Sequence, residues 1–275
     1  MADIDVSSNR KILTSDVLDA ISTQVRVIHA LILRETKTRY GQHKLGFLWA
    51  VLEPIIMVAL FVAIFAGMRN DNPGGMPLVP FMLIGIVPFA LFRDVMNQLQ
   101  GAIATNKTLF AFPQVTTFDV ILARGLLEIL ITLGVFGFLL AMAHLAGFTI
   151  NVQRPLEVLA GCGLMSMLGL GLGFMFASIT PILPSLRQLT SAFLGRPLFL
   201  SSGLFFTADS IPSEIRQYLL YNPIMHILEL IRGAFFYEFE TAHGSWHYAI
   251  AWSVGALAAG LVTHQALRKK AIVGL

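Results

Sequence analysis

Long apolar stretches separated by short polar segments run along most of this 275-residue chain. A helix needs about 20 consecutive apolar residues to cross the hydrocarbon core of a bilayer, and most of the stretches approach that length. The pattern predicts an all-α integral membrane protein, with a polar tail at 1–46 followed by a transmembrane domain at 47–275. Six transmembrane helices are predicted, at 48–68, 78–92, 120–146, 156–180, about 188–206 and 246–267.

The polar tail contains one amphipathic segment, at 14–34. Apolar residues recur there at helical spacing beside a polar face. The apolar stripe consists of Val17, Ile21, Val25, Ile28 and Ile32. A helix of this kind directly before a span is predicted to lie along the cytoplasmic leaflet as an interfacial amphipathic helix. The alternative is a helix that packs against a soluble partner.

Residues 203–239, between the fifth and sixth predicted spans, are interrupted by proline. Pro212 can open one short helix, and Asn222 can cap a second that begins at Pro223. Neither helix is long enough to cross a bilayer. The segment predicts a re-entrant helical hairpin that faces outward, with its turn covered by protein or water.

Composition excludes an ordinary soluble enzyme. Hydrophobic residues make up 56% of the chain, charged residues 13%, and the mean hydropathy is +0.73. With the N-terminus inside, thirteen Lys and Arg fall in cytoplasmic segments and four in outside segments. This bias predicts that both termini are cytoplasmic. The small net charge of +3 gives nucleic-acid binding little support, and we expect no removable signal peptide.

The sequence lacks the motifs of an enzyme. It contains no phosphate-binding loop of the G-x-x-x-x-G-K-[ST] type and no G-x-S-x-G nucleophile elbow. His243 and His247 lie four residues apart, but no glutamate completes a zinc motif. We therefore expect no catalytic residues, no metal site and no cofactor in this chain. If ATP drives the protein, it is hydrolysed elsewhere.

Two separated motifs resemble one known family. The segment RETKTRYGQHKLGFLWAVLEP, at 34–54, resembles the entrance to the first span in membrane subunits of type-2 ABC exporters for bacterial polysaccharides. The segment YNPIMHILELIRGAF, at 221–235, resembles the outer hairpin of the same family. With the six-span layout, the likeness covers nearly the whole chain. It is greatest for the permease subunit of capsular polysaccharide exporters.

The resemblance implies a specific assembly in the bacterial inner membrane. The permease would form a homodimer joined to two copies of a separate nucleotide-binding ATPase subunit, which binds ATP and magnesium. Its substrate would be a lipid-linked polysaccharide. Periplasmic and outer-membrane export proteins would carry that polysaccharide onward to the capsule.

The cytoplasmic loop at about 97–119 is too polar and too broken to span. In the family this loop carries a coupling helix that inserts into the ATPase. Leu109, Phe110 and Phe112 are the predicted anchors, because exposed aromatic rings on a wet loop are typical of a partner pocket. The alternative is that these side chains pack on the inner-leaflet helices.

Four charged residues fall within predicted spans, where each is expected to have a partner or a water path. Arg124 and Glu128 are one helical turn apart and are predicted to pair along their own helix. Glu53 and Arg196 have no local partner, and Arg196 is predicted to face a water-filled conduit for a polyanionic glycan.

A basic run precedes the first span and consists of Arg34, Lys37, Arg39 and Lys44. These cations can gather an acidic polymer at the entrance. They can equally fix the topology and touch anionic lipid, so both interpretations stay open.

Aromatic rings are candidates to stack on sugars. Tyr40, Phe47 and Trp49 lie at the start of the first span. At the outer hairpin the predicted exit residues are Phe205, Phe206, Tyr218, Tyr221 and Arg232. Interfacial anchoring is the alternative role of the tyrosines and tryptophan.

The sequence as a whole favours a passive permease subunit of an ATP-driven exporter for capsular polysaccharide. Export of O-antigen or teichoic acid is the nearest alternative. A self-contained channel or ion-coupled carrier is a rival of another class, but carriers often show duplicated halves and this chain shows no repeat. Glycines in the third and fourth spans, such as Gly134, Gly137 and Gly171, predict closely packed helices.

Overall fold

The computed structural model describes residues 6–40, 45–68, 73–237 and 239–274, and it describes side chains from residue 22 onward except at 40, 45–47, 68, 73 and 273. All regular structure in these residues is helical, as predicted. The α-helices are α1 (Val6–Tyr40), α2 (Leu45–Met68), α3 (Leu78–Gln100), α4 (Ala102–Thr105), α5 (Thr117–Leu145), α6 (Pro155–Ile179), α7 (Leu186–Thr190), α8 (Arg196–Ser201), α9 (Ser213–Leu219), α10 (Pro223–Phe235) and α11 (Trp246–Val273).

Five helices among the described residues are long and apolar enough to cross a membrane: α2, α3, α5, α6 and α11. They match five of the six predicted spans. The remaining predicted span, at about 188–206, is instead three short pieces, in which a π-helical turn at Ser191–Gly195 separates α7 from α8. Gly195 has a backbone ψ of −97°, outside the helical range, and Pro197 follows at the first turn of α8, where its missing N–H costs no helical hydrogen bond. A sixth span through this segment stays a prediction.

The core is built around α3. Within its most apolar window 78% of the residues are buried, whereas Val58 is the one buried side chain among the described residues of α2. Helix α3 packs against α5 and α6, and α6 in turn packs along α11. One face of α2 packs against the core, and its other face is exposed to lipid or to a partner.

Glycines set the closest helix contact, between α6 and α11. A Cβ atom at Gly260 would lie 2.1 Å from the carbonyl oxygen of Gly171, and one at Gly171 would lie 2.4 Å from a backbone atom of Ala256. The prediction of close packing is confirmed on α6 for Gly161, Gly169, Gly171 and Gly173. It is wrong for Gly163 on α6 and for Gly134 and Gly137 on α5, which face open space.

Local capping fixes two helix starts that matter for the site. Thr116 and Asp119 form a reciprocal capping box at the start of α5. The Asn222 side chain accepts a hydrogen bond from the backbone N–H of Ile224 and so caps α10, as predicted. Helix α1 extends well beyond both ends of the predicted amphipathic segment at 14–34.

Candidate substrate groove and coupling loop

Helix α1 is held against α5 by two ion pairs and a hydrogen bond. Arg124 donates to Glu35 at 2.7 Å, and Arg39 donates to Glu128 at 2.5 Å. The amide of Gln24 donates to Asp119. The prediction that Arg124 and Glu128 pair along α5 is therefore wrong, because α1 brings an opposite charge to each of them.

A small charged cavity of about 300 Å³, here called the inner cavity, lies between α2, α3 and α5. Arg39, Trp49, Glu53, Arg93 and Glu128 are among the residues that line it. Arg93 donates to Glu53 at 3.3 Å and to its neighbour Asp94 at 2.8 Å. Glu53 has no partner on its own helix, as predicted, but Arg93 of α3 pairs with it.

A larger open cavity of about 1170 Å³, here called the arginine groove, lies between the α2–α3 pair and the broken segment α7–α8. Arg93, Arg187 and Arg196 line it together with neutral polar side chains such as Gln188 and Ser191. Asp and Glu are missing from the described residues that line it. A groove with this lining attracts anions.

The two cavities share Met57, Arg93 and Phe199. Arg93 is already neutralised by its carboxylate partners. Among the described residues, Arg187 and Arg196 have no acidic partner within ion-pair distance, and both are exposed. The structure thus places Arg196 on the solvent-accessible wall of the arginine groove. Arg187, which was predicted to lie in a cytoplasmic loop, lines the same wall.

The predicted entrance residues do not form one cluster. Arg39, Trp49 and Glu53 line the inner cavity, and Arg196 lines the adjoining arginine groove. Arg34 instead donates to Asn106 at 2.9 Å, and Lys37 is exposed on α1. The side chain of Tyr40 and the whole of Lys44 lie outside the described residues.

The predicted coupling loop contains a 3₁₀-helix at Lys107–Ala111. Leu109 and Phe110 are half-buried and pack against the core, whereas Phe112 is 61% exposed. Asn106, held by Arg34, fixes one end of the loop, and the Thr116 capping box fixes the other. Of the three predicted anchors, Phe112 is the one that presents most of its ring to solvent.

Arg232 is buried within the predicted hairpin and contacts several parts of it. Its guanidinium is fully buried, lies 4.0 Å from the centre of the Phe81 ring, and donates to the carbonyl oxygens of Leu204 at 2.8 Å and Phe206 at 3.1 Å. Burial lowers the pKa of Arg232 to about 10, and nearby Glu229 opposes that shift. Arg232 therefore stays charged at neutral pH and holds the turn at 204–206 to α10.

The other predicted exit residues divide into buried and exposed pairs. Phe205 is buried, with its ring centre 4.3 Å from that of Phe61, and Phe206 is half-buried. Tyr218 and Tyr221 are exposed, at the end of α9 and just before α10. At this hairpin, contact with an external molecule is therefore open to the two tyrosines and not to Phe205 or Arg232.

A polar contact within the helix bundle was missed by the sequence analysis. The Nδ1 atom of His264 lies 2.9 Å from the Ser178 hydroxyl, and its Nε2 atom lies 3.3 Å from the Thr117 hydroxyl. This buried histidine links α5, α6 and α11. A lone histidine late in an apolar span was the only signal in the sequence, and it did not identify its partners.

The described residues thus form a helical membrane bundle with a groove that attracts anions and a polar loop that is held at both ends. Comparison with known proteins identifies the family of the chain. The profile described as ABC-2 type transporter matches residues 26–236. The chain belongs to the ABC-2 type transporter family. With five helices long enough to span, this ABC-2 transporter chain is a multi-pass membrane protein.

Several characterised proteins are similar to this ABC-2 transporter chain over most of its length. It is 32% identical to the polysialic acid transport protein KpsM of Escherichia coli, over 86% of this chain and 92% of KpsM. It is 30% identical to the capsule polysaccharide export inner-membrane protein CtrC of Neisseria meningitidis serogroup A, over 89% and 92%. It is 25% identical to the O-antigen export system permease protein RfbA of Myxococcus xanthus, over 76% and 79%.

Proposed function

We propose that this chain is the permease subunit of an ATP-driven exporter that moves capsular polysaccharide across the bacterial inner membrane. The observation that carries the proposal is similarity over nearly nine-tenths of the chain to proteins named for capsule polysaccharide export and for polysialic acid transport. Export of O-antigen is the second candidate, favoured only by the more distant RfbA. A channel or ion-coupled carrier is disfavoured by the family match.

The proposed assembly is a homodimer of this chain with two separate ATPase subunits, which bind ATP and magnesium. Both termini are proposed to be cytoplasmic, since the Lys and Arg bias favours that orientation. The unburied surface of α2 is available for association. Periplasmic and outer-membrane export proteins are proposed to receive the glycan on the side of Tyr218 and Tyr221.

Complementation tests the proposed substrate. The chain, expressed with its ATPase subunit in a capsule-forming bacterium that lacks its own permease, should restore surface capsule as measured with a capsule-specific antibody. Recovery of O-antigen alone would favour the second candidate. Failure to restore either polymer, with both subunits present in the membrane, would contradict the proposal.

The loop at 106–116 is proposed to contact the ATPase through Phe112. Replacing Phe112 with Ser should reduce glycan-stimulated ATP hydrolysis and export, because an exposed apolar ring contributes binding energy when it fills a pocket on a partner protein. Thermal unfolding of the permease alone should not change, since the ring covers little of its own core.

Phe148→Ser is the matched control for Phe112→Ser, because Phe148 is a partly exposed ring in the connection at the far end of α5. It should leave ATPase coupling intact. Wild-type coupling in Phe112→Ser, or equal losses in the two variants, would contradict the proposed contact.

The arginine groove is proposed to lie on the glycan path. Arg187→Gln and Arg196→Gln should each reduce export by about tenfold, the value of one lost charge-assisted hydrogen bond to an anionic group. Lys269→Gln removes another exposed cation, near the end of α11, and should change export little. If Arg196→Gln reduces membrane insertion as much as export, the arginine has a structural role instead.

A further inference from the structure

A second, apolar groove lies on a different face of the bundle from the arginine groove. Here called the lipid-side groove, it has a volume of about 600 Å³ and lies between α6, α11 and the broken segment α7–α8. Leu172, Leu194, Leu198, Trp252 and Ala256 are representative of its walls. Almost all of its surface is apolar, so its preferred occupant is a hydrocarbon rather than water.

The polar side chains at its edge are already satisfied. The Tyr248 hydroxyl donates to the carbonyl oxygen of Tyr221 at 2.8 Å. Asn222 donates to the Ser202 hydroxyl at 2.9 Å and accepts from the Ile224 N–H at 3.0 Å. Each of these side chains already has a hydrogen-bond partner within the protein, so an apolar occupant leaves neither of them unpaired.

The length of the lipid-side groove along α11 matches the thickness of the hydrocarbon layer in one leaflet of a bilayer. From Tyr248 to Ala259, the limits of its wall on α11, an α-helix rises about 16 Å. Half of a hydrocarbon core about 30 Å thick is about 15 Å. Tyr248 and Trp252 lie at the hairpin end, where the aromatic belt of a membrane protein is expected.

The groove is continuous with the surface that this membrane protein presents to lipid. Val254 and Val262 are exposed on the same helix, α11, which is one of the five helices of spanning length. An extended hydrocarbon chain is narrower than a helix about 10 Å wide, and the cross-linking experiment below distinguishes these two occupants.

We propose that one acyl chain of a membrane phospholipid, from the leaflet on the hairpin side, occupies the lipid-side groove. The chain lies against Leu194 and Leu198, which are on either side of the junction between the π-helical turn and α8. None of the described residues of those two elements is buried by protein. The acyl chain thus supplies packing for the broken segment, on the face opposite the glycan path.

Glycine positions allow a specific test. Gly255 lines the groove and has no atom within 4 Å of where its Cβ would lie, so Gly255→Phe places a ring in the groove without a backbone clash. Gly163 on α6 also has open space at its Cβ but does not line the groove, which makes Gly163→Phe the matched control. Ala251→Phe, at another position in the wall, is a second blocking variant.

The experiment uses the full chain in phosphatidylcholine nanodiscs that contain some phosphatidylcholine with a diazirine in its acyl chain. After illumination, mass spectrometry maps the labelled peptides. Labelling at 168–175 and 251–259 should exceed labelling of the exposed α5 face around Leu130 and Phe138 severalfold. Gly255→Phe and Ala251→Phe should abolish this excess, and Gly163→Phe should retain it.

Native mass spectrometry of detergent-purified protein provides the second readout. The wild type and Gly163→Phe should retain one phospholipid more per chain than Gly255→Phe. Equal labelling of the groove and the α5 face would mean that lipid contacts the groove no more specifically than any other exposed surface, and it would overturn the proposal. Labelling that survives in both blocking variants, or cross-linking of the groove to another polypeptide in place of lipid, would overturn it as well.

Discussion

Gly260→Ala should prevent this protein from reaching its native fold in normal yield. The added Cβ would lie 2.1 Å from the carbonyl oxygen of Gly171 and within 3.1 Å of two more Gly171 backbone atoms. Backbone atoms of a spanning helix cannot rotate away as a flexible side chain can, so α6 and α11 must separate. Overpacking of this kind costs about 3 kcal/mol, more than the gain of up to about 1 kcal/mol from replacing a helical glycine with alanine.

The measurement is the thermal unfolding temperature and the monodisperse yield of the purified permease. Gly163→Ala and Gly255→Ala are the matched controls, because their new methyl groups meet open space. They should unfold at or slightly above the wild-type temperature. A Gly260→Ala protein with wild-type yield and unfolding temperature would contradict the close crossing of α6 and α11.

Arg124→Glu should destabilise the attachment of α1 to α5, and the exchange Glu35→Arg with Arg124→Glu should restore most of the loss. The two side chains are only 13% and 12% exposed, so the single change places two carboxylates together where water screens them poorly. Removing one partner of a buried ion pair costs about 3 kcal/mol. Thermal unfolding and export activity should fall together in the single variant and recover together in the exchange.

The exposed pair Arg154 and Glu157 provides the control for this experiment. These side chains are 50% and 38% exposed, and such pairs contribute at most about 1 kcal/mol. Arg154→Glu also removes a hydrogen bond to the Gly233 carbonyl, so Glu157→Gln is the cleaner change and should have little effect. If Arg124→Glu is no more harmful than Glu157→Gln, or if the exchange recovers nothing, the pairing across α1 and α5 is incorrect.

Most of the bundle could be predicted from the sequence, because the bilayer imposes a minimum length of apolar helix. Helices α2, α5, α6 and α11 each coincide with an apolar stretch of the sequence. The hairpin helix α10 could also be predicted, since Asn222 and Pro223 form a local start signal. The fifth predicted span was different, because its apolar composition did not reveal the interruption at Ser191–Gly195.

The partners of charged residues could not be predicted from spacing. Arg124 and Glu128 have the right separation to pair on one helix, but their partners come from α1, nearly 90 residues earlier in the chain. A charge within an apolar span indicates that a partner exists without indicating which one. For the same reason, the sequence identified Arg196 as a wall residue but did not place Arg187 beside it.

The roles of the glycines depended on packing that the sequence does not contain. Gly161 on α6 faces the Ile231 side chain of α10, whereas Gly137 on α5 faces open space. Both occur in similar apolar surroundings in the sequence. Their difference follows from which face of each helix meets a neighbour.

The central claim is that this chain is a passive path whose energy comes from a separate ATPase subunit. Its most direct test is transport of a fluorescent, lipid-linked acidic glycan into vesicles that contain the permease alone or the permease with its ATPase. We expect transport only when both subunits and ATP are present, with neither transport nor ATP hydrolysis by the permease alone. Transport by the permease alone without nucleotide, or ATP hydrolysis by the purified permease, would contradict the claim.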